Sequence, residues 1–77
     1  MVSLNAVRPG SRVRVLRLEG RSDTCRRLRE MGFHESSEIR CIQNSPACIC
    51  MIHHTRVGLS TQLARQILVE PVVGRPE

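Results

Sequence analysis

Apolar residues recur along this chain with two different periods, and the periods divide it into elements. Val13 and Val15 alternate with Arg12 and Arg14, as in a strand with one buried face. The alternation then slips, because Leu16 and Leu18 are apolar while Arg17 is not. A bulge near Val15-Leu16, or cover on both faces, accounts for the slip. Pro9-Gly10 forms a turn before this strand and Gly20 ends it. In "SDTCRRLREMG" the period changes: Cys25, Leu28 and Met31 lie three apart on one stripe of a helix, with Arg26, Arg27 and Glu30 facing away. Ser22 or Asp23 is expected to cap its start, and Gly32 to end it in the left-handed region. Phe33 follows, expected near the surface.

Beyond the helix the pattern returns to period two. "SEIRCIQ", "CICMI" and "VGLS" read as three strands, joined by turns at "NSPA" and "HHTR". Ser60 is expected to cap a short helix, "TQLARQI", with Leu63 and Ile67 on one face. "LVEPV" closes the fold as a short strand that Pro71 limits to an edge. Residues 1–72 thus form a single domain, and residues 73–77 a flexible tail.

Register follows from the turns. A four-residue loop at "NSPA" pairs Gln43 with Cys48, Cys41 with Cys50 and Ile39 with Ile52. A turn within "HHTR" pairs Ile52 with Val57 and Cys50 with Leu59. Paired residues share a face, so Ile39, Cys41, Cys50, Ile52, Val57 and Leu59 form one apolar row and the core. A slip of one residue would scatter them. The opposite face carries Ile42, Ile49 and Met51, with Arg40 and His53 beside them. The helices cover that face, or it is a patch that docks a partner.

Size and composition change the picture in three ways. At 77 residues the chain is one small domain, which buries only about 60% of its unfolded surface. With one Phe and neither Trp nor Tyr, its core is built from aliphatic residues, Met and Cys. The net charge is +5 and all twelve basic residues are Arg, which points toward nucleic acid or an anionic membrane surface as partners. Base stacking wants aromatics, and one is too few. No apolar run reaches the length of a membrane span, and the N-terminus lacks a signal-peptide pattern. A cytoplasmic protein with reduced thiols is expected.

Cys48, Cys50, His53 and His54 stand within seven residues, and all can ligate a transition metal such as Fe²⁺ or Zn²⁺. No Cys-x-x-Cys pair is present, however, and metal ligands must converge to within about 2.0–2.3 Å of one ion. The register turns Cys50 inward. Cys48, His53 and His54 remain as candidate metal ligands. Neither His stands in a catalytic pairing with a nucleophile, and no enzyme is expected.

The order strand, helix, three-strand meander, short helix, strand suggests a small closed or partly open barrel. Three segments then carry a resemblance over Leu4 to Pro71. "LNAVRPGSRVRV", "RRLREMGF" and "RVGLSTQLARQILVEP" resemble, in order and spacing, the FeoA family, small cytosolic accessory proteins of bacterial ferrous-iron uptake. The resemblance implies a mainly β, SH3-like barrel with a helical insertion and a short C-terminal helix. It also implies that the protein supports the membrane ferrous-iron transporter, through the transporter's cytoplasmic G-protein domain, at its inner face. It places the partner surface on the segment with Arg26, Arg27, Met31, Gly32 and Phe33. Where the family often has Pro-Gly after the helix, this chain has Glu35-Ser36, and His53-His54 replace a Gly-rich tip. Two alternatives rest on other features: a stand-alone metal-responsive SH3-like module, from the Cys/His segment, and a small basic nucleic-acid-binding barrel, from the arginines.

Overall fold

The computed structural model describes residues 2–72; the tail expected at residues 73–77 lies outside them. Six strands form one antiparallel sheet in the order β1-β6-β2-β3-β4-β5. They are β1 (Val2–Ser3), β2 (Arg12–Leu18), β3 (Glu38–Asn44), β4 (Cys48–Ile52), β5 (Thr55–Leu59) and β6 (Ile67–Pro71). Helix α1 (Ser22–Glu30) is inserted between β2 and β3, and α2 (Thr61–Ala64) links β5 to β6. A single 3-10 turn, Leu4–Ala6, follows β1. The sequence pattern showed neither β1 nor this turn, since two or three residues carry no period.

The slip in β2 is a bulge. Val15 pairs with Val69, but Arg17 already pairs with Leu68, leaving Leu16 extra. One inserted residue lets Val15 and Leu18, three apart, both point inward. Strand β6 lies between β1 and β2, not at an edge as Pro71 suggested. Pro71 sits at its end, paired with Val13, and β1 reaches only Leu68 and Val69. The missing N–H therefore breaks no ladder bond to β1.

A second bulge alters the expected register of β3 and β4. Cys41 pairs with Cys50 as expected, but Gln43 pairs with Ile49 and Asn44 with Cys48, leaving Ile42 extra. The loop is therefore Ser45–Ala47. Its Ser45-Pro46 peptide is cis. Between β4 and β5 the turn is only His53-His54, with φ of 49° and 66°. Two residues at positive φ match the right-handed twist of a hairpin. Cys50 accordingly pairs with Val57, and Cys48 with Leu59. This differs from the expected pairing by two residues, and an even shift preserves every face. Ile39, Cys41, Cys50, Ile52 and Leu59 are buried, Val57 packs against them, and Cys48 joins them.

Helix α1 begins after Arg21, whose side chain makes no cap bond. Neither Ser22 nor Asp23 is the cap: both lie inside the first turn, where the Asp23 carboxylate accepts from the Thr24 N–H at 2.9 Å. An anion there still complements the helix dipole. Cys25 and Leu28 are buried. At the C-terminus the Phe33 N–H donates to the Leu28 carbonyl at 2.9 Å and the Gly32 N–H to Arg29 at 3.0 Å. This double closure requires a left-handed residue between them, and Gly32 has φ of 107°. In α2 the Ser60 hydroxyl accepts from the Leu63 N–H at 3.2 Å, as a cap should. The helix stops at Ala64, not Ile67. Ile67 is a buried strand residue opposite Leu18, and Ala64 is the core residue of α2.

Candidate functional site

The residues expected to meet a partner divide sharply. Arg26 and Arg27 are exposed on the outer face of α1. Met31, just past the helix, is 37% exposed. The same side carries Arg29, paired with Glu35 at 3.3 Å, and Arg21, which is 3.9 Å from Asp23. The Glu35 carboxyl is held below its ordinary value by its own backbone N–H and then by Arg29. Arg26 and Arg27 make no ion pair among the described residues. Arg27, with Arg29, lies in the last turn of the helix, where the dipole favours cations. The result is a basic ridge ending in a thioether.

Phe33 is no part of that surface. It is fully buried, because the same turn that reverses the chain at Gly32 directs Phe33 back onto Leu28 and the core. The expectation that Gly32 fixes Phe33 near the surface is therefore corrected. Gly32 itself has a packing role besides its φ. A Cβ there would lie 3.1 Å from Ile52 Cγ2, so the turn rests directly on β4. The Ser37 hydroxyl completes the corner by donating to the Gly32 carbonyl at 2.9 Å.

The candidate metal ligands do not converge. Cys48 opens β4 and is 1% exposed. His53 and His54 form the exposed turn at its other end. Five residues of strand between Cys48 and His53 span about 16 Å. Among the described residues no group of three or more His, Cys, Asp or Glu side chains is arranged to hold a metal. Cys48 instead meets other thiols. Its sulfur lies 3.5 Å from that of Cys50, and Cys41 stands across from Cys50. The thiol proton shared by Cys50 pulls Cys48 below its ordinary value. The same contact, with burial, pushes Cys50 up, and burial first of all raises Cys41.

The outer face of the meander is half covered. Ile42, Ile49 and Met51 are each partly exposed. Beside them Arg12, Glu38, Ile39, Arg40, Met51 and both histidines line a shallow depression of about 300 Å³. One polar residue escaped the sequence reading altogether. Asn44 donates through Nδ2 to the Leu4 carbonyl at 3.1 Å and to Val7 at 2.6 Å. The bulge at Ile42 places it opposite inward-facing Cys48, so it ties the N-terminal segment to the sheet. No local pattern in the sequence marks such a bulge.

A six-stranded antiparallel sheet with α1 inserted after β2 defines a small SH3-like domain. The FeoA domain matches residues 2–71, and the chain belongs to that family, which is linked to ferrous iron transport. The iron(II) transport protein A of Clostridium thermocellum is 31% identical, with a TM-score of 0.85, over 92% of this chain and 46% of that one. The FeoA-like protein of Clostridium acetobutylicum is 24% identical, with a TM-score of 0.83, over 99% and 92%. Stenotrophomonas maltophilia FeoA, an SH3 domain protein solved in complex with zinc, is 22% identical, with a TM-score of 0.80, over 91% of each chain. A search of curated proteins gave no significant match.

Proposed function

We infer that this protein supports ferrous-iron uptake by docking onto the cytoplasmic G-protein domain of the membrane ferrous-iron transporter, with the outer face of α1 as the contact. The observation that carries the reading is the ridge of Arg26 and Arg27, unpaired among the described residues and ending at exposed Met31, on a chain of the FeoA family. Unpaired guanidiniums attract an acidic surface and speed encounter, and a desolvated apolar tip adds affinity. None of the described helices is long and apolar enough to cross a membrane; on this reading the chain reaches the membrane by binding the transporter.

The test is isothermal calorimetry of the purified chain against the transporter's cytoplasmic domain. The double variant Arg26→Glu, Arg27→Glu should bind at least tenfold more weakly, and wild-type affinity should fall with added salt. Unchanged affinity in the variant would remove α1 as the contact. Both side chains are exposed, so the variant keeps its fold.

A further inference from the structure

The three thiols of the meander serve no purpose in docking, and their geometry is unusual. The Cys48 and Cys50 sulfurs are 3.5 Å apart, though the residues lie on one face of one strand. Their α-carbons are therefore separated by about 6.6 Å. A disulfide wants its β-carbons about 3.8 Å apart and its α-carbons mostly at about 5.5–6 Å, with about 6.8 Å as the usual limit. The pair thus sits at the long end of disulfide geometry. It is well placed to hold something between its sulfurs. Metal–thiolate bonds of about 2.3 Å put two bridged sulfurs about 4–4.6 Å apart. Each sulfur would move outward by about half an ångström or less.

The surroundings select the ion. Leu59 is opposite Cys48, Val57 is opposite Cys50, and Ile52 and Leu4 belong to the same buried cluster. Among the described residues no carboxylate or imidazole side chain is buried. The amide of Asn44 faces inward, but it is engaged by the Leu4 and Val7 carbonyls. Closed zinc sites need four ligands, and hard cations need oxygen. Two sulfurs in a packed apolar core suit a soft monovalent ion, which two thiolates can satisfy.

We propose that Cys48 and Cys50 bind a soft monovalent metal ion, of which Cu(I) is the biological example, with Cys41 as a neighbouring thiol outside the ligand pair. Binding displaces thiol protons, so affinity rises with pH. This site is separate from α1 and does not depend on the transporter.

The experiment is an anaerobic titration of the reduced full chain with Cu(I) against the chromogenic chelator bicinchoninate. One ion should bind per chain. Cys48→Ser and Cys50→Ser should each abolish competition with the chelator, and Cys41→Ser should weaken it about tenfold. Cys25→Ser should leave it unchanged. Competition by the Cys48→Ser, Cys50→Ser double variant equal to wild type would overturn the proposal, as would tighter binding of Zn²⁺ than of Cu(I). If buried serines unfold the domain, alkylation of the wild-type chain decides instead. Cu(I) should slow iodoacetamide labelling of Cys48 and Cys50 and leave Cys25 unaffected. Equal labelling with and without the metal would refute the site.

Discussion

Single positions carry much of this small domain. Gly32 is constrained twice, by φ of 107° and by the Ile52 methyl 3.1 Å from its missing Cβ. A side chain there strains the backbone by about 1–3 kcal/mol, and the contact adds to it. Gly32→Ala should therefore lower the midpoint of thermal unfolding by at least about 4–8 °C, the shift expected for each kcal/mol at this size. An unchanged midpoint by calorimetry would show the turn to be adaptable. Because Phe33 is core, weakened partner binding in Phe33→Ala would report lost folding and not lost contact. The thiols give a second residue-level expectation. Cys41 and Cys50 hold their protons more firmly in the folded chain than their ordinary value of 9.0 implies, while Cys48 holds its proton less firmly. Above pH 9 the unfolded chain therefore binds fewer protons than the native one at two sites and more at one. Stability is full below that pH and falls as pH rises beyond it. With neither Lys nor Tyr in the sequence, no other side-chain type has its ordinary value in that window. Urea unfolding at neutral pH and at about pH 10 should show the loss, and alanine at Cys50 should reduce it.

At the level of elements, each strand of five residues or more was legible and its details were not. Period-two runs marked β2, β3 and β4, and the three-apart stripe with Gly32 marked α1. Two bulges, at Leu16 and Ile42, behaved differently. The first disturbs a long alternation and was visible as a slip. The second falls beside a loop, where the same residues fit a four-residue turn equally well. The core face survived that ambiguity because the error at the next turn was two residues, an even number. The docking candidates came from the family resemblance, and the burial of Phe33 depends on the tertiary path after Gly32. The metal candidates failed because nearness in sequence becomes distance along an extended strand. The β4–β5 turn also carries strain, since His54 occupies φ of 66° without being glycine. A side chain in that region costs about 1–2 kcal/mol. His54→Gly should raise stability by about 0.5–1 kcal/mol in urea unfolding, less than the strain removed because glycine also loses entropy. A loss of stability would mean that the imidazole makes a compensating contact.

The whole molecule is a thin-cored domain whose surface is more specialised than its interior. Its exposed acidic groups are largely committed: Arg12 and Arg14 bracket Glu38, and Arg14 also reaches Glu70. Such exposed pairs contribute little to stability. Among the described residues Arg26 and Arg27 of α1 are left unpaired, as are Arg8, Arg40, Arg56 and Arg65. The proposed docking rests on Arg26 and Arg27 standing together beside exposed Met31 on a FeoA-family scaffold. The most direct measurement is an amide chemical-shift titration of the labelled chain with the transporter's cytoplasmic domain. Perturbed amides should gather on Arg21 to Met31, with Val57 and Leu59 of β5 unmoved. A footprint confined to β4 and β5, with α1 silent, would contradict the account.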